Sequence, residues 1–488
     1  MYRSSVPVVT RLGVCGGAIV LASLCAGSLR ATDVNVHLSS KAGDRIAPKA
    51  SIKLQPAASA GAVAFRIDDK SSLQRMDGFG ATFLEAGMMC LRDLDKPQQE
   101  ALLAALFDPA KGAGFSAMKT TIAATDFQAA GGWYTYDDTP GDVSMKHFSV
   151  ARDFGPNGSA SFIQAARRHG KFVLQAPMDY PPDWMLVDVQ KNQDVDSKYY
   201  DALALYYLRY VQEYEKRGIH IDYVSLFNEP GVYTKIPYTE IRDLLKNHVG
   251  PLFAKSGVKT RLQLSEAPDR ANAGANYPIL LDDPEARKYV ASAPYHGYDF
   301  KEFDKISALV QRYPDIPFWM TEICWAYEAG APKDIKLPRY DWQDGDFWAN
   351  QIFGDIEAGA SAWIYWNMIL DENGGPWLVS PIHGNPDPNV QQPVVVVNRQ
   401  TKKVEYMALY YYLAHFSKFV RPGAVRVAMS GNEDKIRALA FRAPDGGLVL
   451  QLLNRRDAPA TVTVGWRDQV LKAELPALSI GTYQWSAK

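Results

Sequence analysis

The stretch Asp222-Tyr-Val-Ser-Leu-Phe-Asn-Glu-Pro230 decides the fold. Residues 222–227 form a short run of β-formers, too brief for a helix, and the run breaks at Asn228, Glu229 and Pro230. Pro230 biases the residue before it away from helical geometry, so Glu229 reads as a strand-to-loop break. Seven further runs of this kind flank it, at residues 78–83, 116–122, 171–176, 260–264, 289–293, 317–321 and 362–366. Between them lie stretches with helical period, at 97–107, 162–169, 199–217, 238–253, 303–313 and 346–358. Strand and helix alternating eight times over about three hundred residues predict an α/β fold, the (β/α)8 TIM barrel.

Both ends of the chain have another character. Residues 34–38, 51–54 and 63–67 alternate polar and apolar side chains between Gly, Pro and Ser. Residues 425–428, 435–441, 448–453, 460–464, 470–475 and 482–485 do the same, with no long helix between them. The early strands have no sheet of their own, so they are expected to join the late ones in a discontinuous antiparallel β-sandwich. The expected layout is an export signal over 1–31, sandwich strands over 32–77, the barrel over 78–418 and the sandwich over 419–488.

The signal rests on Arg3 and Arg11 ahead of a short apolar stretch, 12–24, followed by small residues around Ala26, Ser28 and Ala31. This predicts a secreted or periplasmic protein, cleaved near Ala31. Leu24 ill suits lipoprotein processing at Cys25, and no later segment reads as a membrane span, so no stable membrane insertion is expected. Of the four cysteines, Cys15 and Cys25 leave with the signal. Cys90 and Cys324 lie beside apolar segments and read as buried free thiols.

Composition excludes more than it selects. Of 488 residues, 22% are charged, the formal net charge is −1 and no run of like charge occurs, so no nucleic-acid partner is expected. An oligomeric state is not specified. Motif patterns for a nucleophile elbow, a zinc helix, paired zinc cysteines or a phosphate loop are missing from the sequence, so no metal or cofactor is expected.

Reactive groups of such a barrel sit at the C-terminal ends of its strands. That rule selects Glu229 after the fourth run and Glu322 after the seventh, Phe318-Trp-Met-Thr-Glu322. One such glutamate is ordinarily a surface ion-pair partner. Two at matching strand ends would face each other across the barrel mouth, as cleavage of a glycosidic bond requires. One carboxylic acid protonates the leaving oxygen while a second carboxylate attacks or stabilises the oxocarbenium-like centre.

Six ordered segments carry a resemblance: Gln74-Arg-Met-Asp-Gly-Phe-Gly-Ala81; Thr125-Asp-Phe127 with Tyr134-Thr-Tyr-Asp-Asp-Thr-Pro140; Phe227-Asn-Glu-Pro230; Tyr295-His-Gly-Tyr298; Thr321-Glu-Ile-Cys324; and Trp366-Asn-Met-Ile-Leu-Asp-Glu-Asn-Gly-Gly-Pro-Trp377. From Gln74 to the C-terminus the chain resembles glycoside hydrolase family 30, in its glucosylceramidase-like branch. The resemblance implies a retaining β-glycosidase with Glu229 as acid/base and Glu322 as nucleophile, carboxyls about 5–5.5 Å apart. It also implies Asn228 at the sugar 2-hydroxyl, Asp126 and Trp366 on the terminal sugar, and His296 and Tyr298 orienting the nucleophile.

The chain departs from that family at Lys119, where Arg is usual, at Phe227 for Gln, and at Gly297 for an aromatic residue. It also reads Ala176-Pro-Met-Asp-Tyr180 where a Ser-Pro-Trp segment is usual. Asp179 and Tyr180 thereby enter the pocket floor, and Lys119 replaces a bidentate fork with a point charge. The expected substrate is a β-linked carbohydrate or glycoconjugate ending in a glucosyl residue. Endo-β-1,6-glucanase, β-xylosidase or β-fucosidase action stays open, as does a catalytically silent sugar-binding protein on the same fold.

Overall fold

A computed structural model describes residues 32–487 apart from 60–61, 130–133, 192, 233, 327–334 and 377–389. The expected export signal, 1–31, lies outside the described residues. Eight parallel strands close into a barrel: β1 (Gly78–Thr82), β2 (Ala117–Lys119), β3 (Val173–Pro177), β4 (Tyr223–Ser225), β5 (Arg261–Gln263), β6 (Val290–His296), β7 (Phe318–Glu322) and β8 (Ala360–Asn367). Each pairs with the next in sequence, and β8 returns to β1 through the register Ala362↔Gly78 to Asn367↔Thr82. These are the eight runs read from the sequence. They are apolar because helices cover the outside of the barrel and side chains fill the inside.

The barrel floor is filled by Ala117, Tyr223, Trp319, Ala362 and Ile364, and the Trp319 indole donates to Asp77 Oδ2 at 2.9 Å. Gly80 lets β1 lie against β2, since a Cβ there would sit 2.1 Å from the Ala117 carbonyl oxygen. Helix starts follow their caps. Asp95 accepts from the Gln98 backbone N–H at the head of Lys96–Phe107 while the Gln98 side chain accepts from the Asp95 N–H, a reciprocal capping box. The helix predicted over 238–253 forms, but Leu245–Val249 widens into a π turn. Pro251 lies within that run and has no N–H for the carbonyl four residues before it, which accounts for the local rewinding.

Strands Asp33–Ser40, Ala47–Lys53 and Phe65–Arg75 pair into the same ten-stranded sheet as the six C-terminal strands. The ladder is continuous rather than split in two. Phe65–Arg75 joins its halves, antiparallel to Val425–Gly431 on one side and parallel to Ala460–Trp466 on the other, with register shifts near Val427. Its two wings enclose a second core, in which Val34, Val36 and Leu38 meet Leu450, Val462, Leu471 and Leu475.

The helix Ala408–Phe419, buried along most of its length, binds the barrel to this sheet. His415 hydrogen-bonds Thr482 Oγ1 at 2.7 Å through Nδ1 and Ser39 Oγ at 2.9 Å through Nε2. Cys90 and Cys324 are buried free thiols. No helix among the described residues is long and apolar enough to cross a membrane.

Candidate active site

Parallel strands in sequential order end on one face, so the strand-end residues of β2 to β8 converge. Lys119 is the last residue of β2 and Glu322 the last of β7. Glu229 follows β4 on a loop stitched to its neighbours: Asn228 N–H donates to the Met178 carbonyl at 2.8 Å, and Glu229 N–H to the Glu266 carbonyl at 2.8 Å. Glu229 is turned out of right-handed helical geometry, the direction in which the proline after it biases the chain. Its φ is 45°, a left-handed conformation held by those two bonds and a form of strain that concentrates at functional sites.

The network centres on Lys119, which is fully buried. Its Nζ donates to Glu322 Oε2 at 2.7 Å, to Glu266 Oε2 at 2.8 Å and to Asn228 Oδ1 at 3.3 Å. The point charge that replaces the expected fork therefore spends its three protons on three different residues. With Asn228 Oδ1 turned to an ammonium, the amide NH2 is the end left for a ligand.

Tyr298 OH donates to Glu322 Oε1 at 2.9 Å, as expected of a group orienting that carboxylate. His296 is placed differently from the expectation. Its closest partner is Glu229, with Nδ1 donating to Oε1 at 2.6 Å, while Nε2 donates to Glu266 Oε2 at 3.0 Å and lies 3.6 Å from Glu322 Oε2. Trp366 is buried with its ring centroid 5.1 Å from Lys119 Nζ, a cation–π distance. Asp126 sits half-buried in the turn after β2, where its charge acts on Asp179 and Cys324.

Electrostatics set the two glutamates apart. Burial raises the Glu229 carboxyl above its usual range, against the opposing pull of His296. Burial disfavours a charged His296, but Glu322 and the hydrogen bonds to Glu229 and Glu266 outweigh it and push the imidazole up to about 9. For Glu266, burial is overcome by Lys119 and His296, which bring the carboxyl down to about 2. Glu322 thus faces an ammonium and a phenol, whereas Glu229 faces an imidazolium across one oxygen only.

One ligand atom each from Glu229, His296 and Glu322 lie within 4.8 Å of one another, the composition of a divalent-cation site. Lys119 does not fit that use. Its ammonium, 2.7 Å from Glu322 and 3.5 Å from His296 Nε2, already supplies the positive charge. The same figure places a Glu229 oxygen within 4.8 Å of a Glu322 oxygen, at the short side of the spacing expected for a carboxylate pair that attacks directly.

Glu266 is the member the sequence reading missed. It follows β5 as Glu229 follows β4, and it takes Lys119, His296 and Thr321 Oγ1 (2.8 Å) on its Oε2. The strand-end rule that found the other two glutamates would have found it. It lies outside the six segments that carried the resemblance.

The model of the glycosyl hydrolase family 30 TIM-barrel domain matches residues 76–420, and that of the family 30 beta sandwich domain matches 423–483. Lysosomal acid glucosylceramidase of Mus musculus is 25% identical over 440 residues, covering 86% of this chain and 82% of its own length. An endo-1,6-beta-D-glucanase of Neurospora crassa is 28% identical over 423 residues, covering 82% and 83%. The solved structure of an endo-β-1,6-glucanase superposes with a TM-score of 0.81 at 23% identity over 93% of this chain and 99% of its own, a likeness of fold. With both domain models matched in order across the closed barrel and its sheet, the chain belongs to glycosyl hydrolase family 30 and is a glycosidase.

Proposed function

We propose that the protein removes a terminal β-linked glucosyl residue with retention of configuration, Glu322 acting as nucleophile and Glu229 as acid/base. The observation that carries this reading is the pairing of two buried carboxyls within 4.8 Å in unlike surroundings. Glu322, fixed by Lys119 and Tyr298, attacks the anomeric carbon as the bond to the leaving oxygen breaks. Glu229, whose carboxyl burial pushes up, gives that oxygen its proton. A water then gives its proton to Glu229 and its hydroxyl to the anomeric carbon, freeing Glu322. Asn228 presents its amide to the 2-hydroxyl, and Asp126 and Trp366 hold the glycone.

Retention is general to the family, and the relatives' names share a glucosyl unit. Proton NMR of the first-formed anomer is the direct test. A β-glucoside must yield β-glucose first, and initial α-glucose would sink the double displacement. Endo-β-1,6-glucanase action is the second reading, favoured by the Neurospora relative. Product size on a linear β-1,6-glucan separates the two: glucose alone from the start supports the terminal reading, and oligosaccharides the endo reading. Export through residues 1–31 is part of the proposal, and the N-terminus of the mature protein tests it.

A further inference from the structure

The geometry points to Asp179 as a sugar-reading carboxyl: it exchanges hydrogen bonds with a glycone hydroxyl remote from the bond being cut, and so selects the hexose accepted. This rests on the glycosidase reading above and deepens it. Asp179 stands in the segment where the chain departs from the Ser-Pro-Trp of the family, two residues beyond the end of β3. Its backbone is held by the loop that bears Glu229, since Thr234 Oγ1 donates to the Asp179 carbonyl at 3.4 Å. The preceding Met178 carbonyl accepts from Asn228.

The side chain is fully buried, and neither carboxyl oxygen has a hydrogen-bond partner. An unpartnered buried carboxyl is expensive to keep, and native proteins rarely retain one without use. Two other buried acids of this chain are met by several donors. Asp153 takes the hydroxyls of Tyr134, Tyr136 and Tyr214. Asp355 takes Arg270, Tyr295 and the Trp363 indole. The charges that act on Asp179 are those of the chamber: Asp126, Lys119, Glu322 and Glu229. The partners of Asp179 must therefore come from what enters that chamber.

Burial first, and Asp126 next, hold the Asp179 carboxyl far above the usual carboxylate range, which favours its protonated form. A protonated carboxyl is one donor and an acceptor, which matches a hydroxyl able to give and take one hydrogen bond each. Glu229 and Glu322 flank the anomeric carbon and Asn228 meets the 2-hydroxyl. That leaves the hydroxyls at positions 3, 4 and 6 for the wall formed by Asp126 and Asp179 after neighbouring strands.

The test is a matrix of kcat/KM values for the parent protein, Asp179→Asn and Asp179→Ala on an aryl β-glucoside and its 3-, 4- and 6-deoxy analogues. Asp179→Ala should lose about 30-fold on the glucoside. On one deoxy analogue the parent protein should already show that loss, and the variant should fall less than about threefold further. Losses that add on every analogue, or a loss below about threefold on the glucoside, would overturn the assignment. Asp179→Asn keeps both the shape and a donor beside an acceptor, so it should retain most of the parent kcat/KM on the glucoside, and a loss as large as that of alanine would overturn the assignment. The thermal midpoint of Asp179→Asn should hold or rise, whereas loss of a structural acid would lower it. A parent protein inactive on all aryl β-hexosides would instead overturn the terminal-glucosyl reading, which keeps the two failures apart.

Discussion

Two buried ionic clusters lie in this barrel, and they are built to opposite rules. In the first, Arg270 gives Nε and Nη2 to Asp355 at 2.8 Å each, and Nη1 to Asp299 and the Gly297 carbonyl at 2.7 and 3.0 Å. Tyr295 and Trp363 complete Asp355, so both charges are matched and their hydrogen bonds made. In the second, Glu229, Glu266 and Glu322 share Lys119 and His296, the charges of Asp126 and Asp179 lie close by, and among the described residues Glu266 Oε1 and both Asp179 oxygens have no partner. The first is closed and serves the fold. The second keeps unused hydrogen-bonding capacity and an excess of acid, the condition of a site that completes itself with a ligand.

That contrast breaks most sharply at Glu322. Glu322→Gln should lower kcat on an aryl β-glucoside by at least about 10⁴-fold, with the unfolding midpoint nearly unchanged. If activity survives, the second cluster is not the reactive one. Glu229→Gln should cost about 10²- to 10⁴-fold on glucosides with poor leaving groups and far less in bond cleavage when the leaving group is activated. Rates measured across a series of phenols would show this as a steeper dependence on leaving-group acidity. Equal losses at every leaving group would remove Glu229 from the acid role.

In the closed cluster the effect should fall on stability. Arg270→Met leaves Asp355 buried without its cation and should lower unfolding free energy by about 3–5 kcal/mol in urea titrations. Its kcat loss should stay well below that of Glu322→Gln. The smallest effect is a pH dependence. His296 is held protonated up to about 9 in the fold, against 6.5 for the free side chain. Its stabilising contribution is therefore full below pH 6.5 and lost as the pH rises through about 9. Thermal midpoints should decline across that window. Glu266→Gln, by removing one of the acids that hold the proton, should bring the decline to lower pH.

How far this was legible in the sequence depends on distance along the chain. The eight barrel strands announce themselves because parallel strands buried on both faces become local apolar runs. The helix Ala408–Phe419, enclosed between barrel and sheet, is apolar over most of its surface and so presents a weaker contrast between its faces. Glu229 and Glu322 follow from a strand-end rule. The bonds that hold them do not: Lys119 reaches Glu266 across 147 positions and Glu322 across 203. Asp179 shows the limit most clearly. Its residue type is visible in the sequence, but the want of any donor around it is a property of three dimensions.

The strand Phe65–Arg75 leads directly to β1, and β1 pairs with β8 to close the barrel. The seam of the catalytic cylinder is therefore anchored in the sheet that the last sixty residues complete, and Ala408–Phe419 fastens the other side of that joint. Such a sheet is no interchangeable cassette. A chain ending near residue 420 would leave Phe65–Arg75, and so the strand that opens the cylinder, without the neighbours on either side of it.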